Sequence, residues 1–255
     1  MRPARRRCPR TGLLSLLVAT ALVSAACNQT DAIRKQALEE STPVAFDSSD
    51  GVQLAGRLFG PEHPSTGVVL AHMQPADQSS WFEFADILAG NGYGVLTFDF
   101  RGYCPGGDAG CSEGSKDVSA IWQDVAGAAS YLRGRGANTI ALVGASMGGT
   151  ASLVVAGKEA NDVAAVITLS APESIEGLSV MPDVLASISA AKLFIAGDGD
   201  DLAAQTAQAF YDGSPQPKAV QIVTSSDHGS DLLEGNQAEI VRRQILTWLE
   251  VHAPA

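Results

Sequence analysis

The nineteen residues from Asn138 to Ala156, NTIALVGASMGGTASLVVA, constrain this chain more than any other stretch. The run Ile140 to Val143 is apolar and suits a buried strand. The run after Gly149 is small and aliphatic, which suits a closely packed helix. Between them, Gly144-Ala-Ser-Met-Gly148 turns the chain sharply. Strand, G-x-S-x-G and helix in that order describe a nucleophile elbow. Ser146 is expected at the strained apex, with its hydroxyl held clear of the sheet. A Cβ two residues to either side would collide with the neighbouring strand and helix, so Gly144 and Gly148 have to be glycines. The following helix aims its first N–H groups at the place where an oxyanion would form.

A second copy of the pattern, Gly110-Cys-Ser-Glu-Gly114, has no strand before it and lies in a glycine-rich loop. Ser112 is therefore read as a coincidence, not a second nucleophile.

Residues 1–26 read as an export signal. Arg2, Arg5, Arg6, Arg7 and Arg10 precede an uncharged apolar run, Leu13 to Ala26. That run is shorter than the roughly 20 residues a membrane-spanning helix needs. It ends Val-Ser-Ala-Ala-Cys27, which resembles a bacterial lipobox and implies lipid attachment at Cys27; the alternative is ordinary cleavage after Ala26. The expectation is a protein anchored by lipid on the extracytoplasmic face of the cell membrane, or else secreted. Removing residues 1–26 leaves 12 basic against 28 acidic side chains, so the formal charge moves from −11 to −16. Such a surface does not attract nucleic acid or anionic membrane. Cys104 and Cys111 flank a Gly-Pro loop and are expected to form a disulfide in an oxidising compartment.

Polar residues 27–43, with a short helix-favouring patch at Ala32–Glu40, suggest a tether, and residues 44–255 a single domain. Pro43–Asp47 and Val52–Phe59 read as a hairpin around Ser-Ser-Asp-Gly. From Gly67 onward, strands and helices alternate. Strands are expected at Gly67–Ala71, Tyr93–Phe98, Ile140–Val143, Asp162–Leu169, Ala191–Ala196 and Lys218–Val223. Helices are expected at Ser79–Gly90, Lys116–Gly134, after Ser146, and at Glu234–Val251. Continuous apolar strands separated by helices predict an α/β fold, a mostly parallel sheet of about eight strands covered on both faces.

A serine hydroxyl needs a base and an orienting acid to act as a nucleophile. In an open parallel sheet, ligands meet the carboxyl ends of the strands. His228, in Ser-Asp-His-Gly, and Asp200, in Gly-Asp-Gly-Asp-Asp, both follow strands there. Ser146, Asp200 and His228 stand in the chain order that accompanies such an elbow. The rival set is His72 with Asp99, also at strand ends. The reading preferred here makes His72 a brace for the oxyanion loop and Asp99 a structural acid held by Arg101. One oxyanion donor is the backbone N–H of Met147; the second comes from the loop His72–Gln78.

Taken together, Val68–His72, Leu96–Tyr103, Gly144–Gly149, Ile195–Asp200 and Asp227-His-Gly229 resemble the α/β-hydrolase superfamily, with the dienelactone hydrolase branch nearest in layout. The resemblance implies Ser146 as nucleophile, Asp200 as acid and His228 as base. It selects Asp200 over Asp198 and Asp201 by its Gly-x-x-Asp spacing. Where the family usually has glycine after the strand-end histidine, this chain has Met73. The second oxyanion donor then falls on Met73 or Gln74, and the analogy favours Gln74. About 20 residues separate Leu169 from Ala191, too few for a folded cap. Met181 and Leu185 either line a short flap there or pack on the sheet. Nothing resembles a metal site or a dinucleotide fingerprint, so no cofactor is expected. The implied activity is cleavage of carboxylic ester or thioester bonds through an acyl-enzyme. Acyl transfer, peptide cleavage and a non-catalytic binding lipoprotein are the alternatives. The substrate is expected to be a small molecule, and oligomeric state is not legible.

Overall fold

The computed structural model describes residues 35–105, 110–158 and 162–255. The export signal and Cys27 lie outside them. The chain opens with an antiparallel hairpin, β1 (Thr42–Asp47) and β2 (Gln53–Phe59). β3 (Thr66–Ala71), α1 (Phe82–Gly90), β4 (Gly94–Phe98), α2 (Ile121–Gly134), β5 (Thr139–Ala145) and α3 (Met147–Lys158) follow. Then come β6 (Ala165–Leu169), a small hairpin of β7 (Ser174–Ile175) and β8 (Leu178–Ser179), and the short helix α4 (Pro182–Ser187). β9 (Ala191–Gly197), α5 (Asp201–Gly213), β10 (Lys218–Val223) and α6 (Ala238–His252) close the domain.

Eight strands form one sheet in the order β1-β2-β4-β3-β5-β6-β9-β10. β2 is antiparallel to both neighbours, and every pair from β4 to β10 is parallel. Alternation of side chains makes two cores. On β5, Ile140 and Leu142 join the core under α2, α3 and α5. Ala141, Val143 and Ala145 join the core under α1 and α6. The central strands are buried throughout, because helices cover both faces. β3 lies between β4 and β5, so the chain reverses its direction of travel across the sheet there. The crevice above that switch point is where open α/β sheets bind ligands.

Three expectations need correction. The helix read from Ser79 begins with a 3-10 turn, Gln78–Trp81, whose first N–H is capped by the Asp77 carboxylate (Ser79 N to Asp77 Oδ1, 2.8 Å). Likewise a 3-10 turn at Val118–Ala120 precedes α2, expected from Lys116 but starting at Ile121, and one at Gly229–Leu233 precedes α6, which starts only at Ala238. The helix-favouring patch at Ala32–Glu40 is helical over the described residues 35–40, and Ala37 there is buried. Arg57 reaches this segment from β2, donating to the Leu38 carbonyl (3.1 Å) and to the Ser41 hydroxyl (2.7 Å). Between β6 and β9, among the described residues, stand only the small hairpin and α4.

Candidate active site

Ser146 links β5 to α3 with φ +47, a left-handed conformation that costs a side-chain-bearing residue on the order of 1 kcal/mol or more. Backbone bonds hold it there. Its N–H donates to the Leu169 carbonyl (2.8 Å), and its carbonyl accepts from Gly149 (2.9 Å) and Thr150 (3.1 Å). A Cβ on Gly144 would lie 2.3 Å from the Gly148 carbonyl oxygen, and one on Gly148 would lie 2.4 Å from that of Ala71. Both glycines are therefore fixed by backbone that cannot move aside. The Met147 N–H, first in α3, has no partner within the helix and points out of its N-terminus.

Asp200 ends the turn after β9, and His228 ends the one after β10. The His228 Nδ1–Asp200 Oδ2 separation is 2.5 Å. The neighbouring acids are engaged elsewhere: Asp198 Oδ1 accepts from the Ser225 N–H (3.1 Å), and Asp227 Oδ2 from the Ser225 hydroxyl (2.7 Å). Only Asp200 is spent on the histidine. The two turns pack backbone to backbone, since a Cβ on Gly197 would lie 2.3 Å from the Ser225 carbonyl oxygen. Gly229 brings the histidine turn onto the elbow. Its φ is +58, and a Cβ there would lie 2.5 Å from Met73 Sδ and 3.3 Å from the Cβ of Ala145. So the residue after His228 touches the residue before Ser146.

Met73 itself belongs to the loop after β3. His72 is buried, accepts at Nε2 from the Phe100 N–H (3.1 Å), and donates from Nδ1 to the Met73 carbonyl (2.8 Å). Phe100 and Tyr103 pack on its ring, each with centroids 4.7 Å away. Burial lowers its pKa to about 4. The imidazole is thus neutral with both nitrogens committed, and has none left to serve Ser146. Because a trans peptide is planar, fixing the Met73 carbonyl toward His72 turns the Gln74 N–H the opposite way.

Asp99 does not pair with His72, nor with Arg101 as the sequence reading had it. It accepts from Gln78 twice, from the backbone N–H (3.0 Å) and from Nε2 (2.6 Å), and burial raises its pKa to about 6. Arg101 instead binds Asp124 (Nε–Oδ1 2.9 Å) and forks onto Asp50 (2.7 and 2.9 Å). No spacing in the sequence signals Gln78 as the clamp on Asp99. The Ser112 hydroxyl donates to the Asp99 carbonyl (2.5 Å) and accepts from the Ala55 N–H (2.9 Å), a bracing role. Cys104 and Cys111 are joined in a disulfide. His63 is exposed beside the Arg135 carbonyl, and His252 is half-buried and stacks on Trp248. Among the described residues, no cluster of His, Cys, Asp or Glu could hold a metal ion.

A serine elbow at the switch point of a mostly parallel sheet, faced by a histidine–carboxylate pair from the last two strand ends, defines an α/β-hydrolase. The chain belongs to that family: the model of the alpha/beta hydrolase family matches residues 68–250. An uncharacterized protein of Mycobacterium tuberculosis is 27% identical over 231 residues, covering 80% of this chain and 78% of that protein. Among solved structures, an esterase of Pyrococcus furiosus superposes with a TM-score of 0.69 at 19% identity, covering 84% of this chain and 91% of that one. A thermophilic esterase of Thermogutta terrifontis gives 0.65 at 21% identity, with 83% and 100% covered. A dienelactone hydrolase of Anabaena variabilis gives 0.67 at 20% identity, with 84% and 99% covered. At these identities the likeness is one of fold.

Proposed function

We propose that this hydrolase cleaves carboxylic esters of small molecules with Ser146 as nucleophile, His228 as base and Asp200 as the acid that orients it. The observation that carries the reading is the 2.5 Å contact between Asp200 and His228, in a turn that packs against the elbow. Asp200 accepts the Nδ1–H, which leaves Nε2 unprotonated and able to take the Ser146 proton. Ser146 Oγ attacks the ester carbonyl carbon as that proton moves to His228. The carbonyl oxygen becomes an oxyanion between the N–H groups of Met147 and Gln74, the latter aimed by the hold of His72 on the Met73 carbonyl. The tetrahedral adduct collapses to the acyl-enzyme, and His228 gives its proton to the departing alkoxide. Water repeats the sequence against the acyl-enzyme, releasing the carboxylic acid and restoring Ser146.

A fluorophosphonate probe tests the nucleophile. Labelling of the folded wild type that vanishes in Ser146→Ala supports the proposal. No adduct on folded protein would favour a binding protein on a hydrolase scaffold. His228→Ala should lower kcat/KM for a short p-nitrophenyl ester on the order of 10⁴-fold, while His72→Ala leaves measurable turnover. The reverse result would move the base to His72.

We also propose that the protein is exported and held on the membrane by lipid on Cys27, a setting with which the Cys104–Cys111 disulfide agrees.

A further inference from the structure

Cys104 and Cys111 join two segments that run back alongside each other, and their bridge is the outer rung of a short ladder. One rung inward, the Ser112 N–H donates to the Tyr103 carbonyl (2.9 Å), and beyond it the Gly102 N–H donates to the Glu113 carbonyl (2.9 Å). The returning side is fastened to the sheet. The Glu113 N–H donates to the Gln53 carbonyl (2.8 Å), and the Ser112 hydroxyl links Asp99 to Ala55. The bridge therefore ties Tyr103 to β2 through Ser112 and Glu113. What Tyr103 touches gives that tie a use. Its ring is buried and stands edge-on to the His72 imidazole, with centroids 4.7 Å apart and planes at 69°. Lys116 Nζ lies 3.9 Å from the same ring's centroid, a cation–π contact. Both contacts are made by the ring, not by the hydroxyl. The second ring on His72 is Phe100, which packs in turn on Phe98 at the end of β4 (5.1 Å). Phe100 is thus placed from the sheet and Tyr103 from the ladder. Between them the imidazole keeps one tilt, and that tilt decides where Nδ1 holds the Met73 carbonyl (2.8 Å). The planar peptide carries the choice on to the Gln74 N–H.

We propose that Tyr103, set in place by the Cys104–Cys111 bridge, is a positioning residue for the oxyanion donor Gln74 and acts through His72. The inference rests on the ester-hydrolase reading above, and it gives the disulfide a part in turnover. A displaced donor weakens the hold on the transition-state oxygen more than the hold on the bound ester, so kcat falls and KM does not rise.

Turnover of p-nitrophenyl butyrate is compared with inhibition by an alkyl trifluoromethyl ketone, which reads the same donor without turnover. Ser146 Oγ adds to the ketone carbon, its proton passes to His228, and the ketone oxygen becomes an oxyanion. Tyr103→Leu keeps apolar bulk and removes the aromatic edge. It should lower kcat about tenfold and weaken the ketone by a similar factor, with KM little changed. Tyr103→Phe keeps the ring and should recover both quantities to within about twofold of the wild type. Cys104→Ser combined with Cys111→Ser should move both in the same direction as Tyr103→Leu. Ketone affinity does not depend on the fraction of folded protein, so a merely structural role would leave it unmoved. Wild-type kcat in Tyr103→Leu or in the paired serine variant would overturn the proposal, as would a lowered kcat with unaltered ketone affinity. Should Tyr103→Leu fail to fold, the paired variant decides by the same two readings. If the wild type neither hydrolyses the ester nor takes the ketone, the function reading fails by itself. The backbone amide resonance of Gln74 is then the measure. A shift in Tyr103→Leu and in the paired variant, recovered in Tyr103→Phe, sustains the positioning role, and an unmoved resonance overturns it.

Discussion

At the scale of single residues, the site depends on backbone contacts that leave no room. Gly148→Ala would set a methyl group 2.4 Å from the Ala71 carbonyl oxygen and 2.7 Å from that of His72. Neither is the end of a flexible side chain, so the first turn of α3 has to shift and carry the Met147 N–H with it. The expected result is a stability loss on the order of 1–3 kcal/mol and a fall in kcat of about 10² or more, read by denaturant unfolding and ester turnover. Wild-type kcat in the variant would show that this N–H does no work. A second case concerns pH. The depressed pKa of His72 makes its contribution to stability complete above its ordinary 6.5 and lost as pH falls toward about 4. Asp99 acts in reverse: with its pKa raised from 3.8 to about 6, the fold gains stability as pH falls through that window. Each is on the order of 3 kcal/mol, so the two largely cancel. Asp99→Asn removes one of them. Between pH 7 and pH 4.5 the variant should lose about 2 kcal/mol more than the wild type, and parallel unfolding curves would refute the assignment.

At the scale of elements, the central strands were legible because each is apolar on both faces, whereas the helix α5 (Asp201–Gly213) between β9 and β10 was not read from the residues. Lys218–Val223 starts and stops where the residues indicate. Helix starts were less legible: a 3-10 turn and an α-helix share the same apolar spacing over one turn. The pairings of buried charges were not legible at all. Arg101 stands two residues after Asp99, yet its guanidinium meets Asp124 on α2 and Asp50 in the β1–β2 turn. Sequence spacing cannot show which distant loops meet at one arginine. That arginine fastens the β1–β2 turn, α2 and the segment after β4 to one another. Arg101→Met would leave Asp124 buried without its cation, at a cost of about 3–5 kcal/mol at pH 7. Arg101→Lys should recover only part of this, since an ammonium cannot serve both carboxylates through a fork. Hydrogen bonding to Arg101 holds the Asp50 pKa at about 2. The Asp50 contribution is therefore present above pH 3.8 and fades only as pH falls toward 2. An Arg101→Met protein as stable as the wild type would mean that these elements are held by apolar packing alone.

At the scale of the whole molecule, charge would oppose the proposed lipid anchoring. The chain carries 28 acidic against 17 basic side chains, and five of the arginines lie in residues 1–26. With residues 1–26 removed, the rest would be repelled by an anionic leaflet, and salt would screen that repulsion. No helix among the described residues is long and apolar enough to cross a membrane. Membrane association would then depend on lipid at Cys27, and salt should act on it in the opposite sense to an electrostatic contact. Cells producing the full chain are fractionated and the membranes washed at low and high salt. The wild type should stay with the membranes in both washes, at least as firmly at high salt. Cys27→Ala should move to the soluble fraction with kcat/KM unchanged, because Cys27 lies far in sequence from Ser146, Asp200 and His228. Release of the wild type by salt would point to a basic partner on the membrane instead of lipid, and retention of Cys27→Ala would remove the anchor from this cysteine.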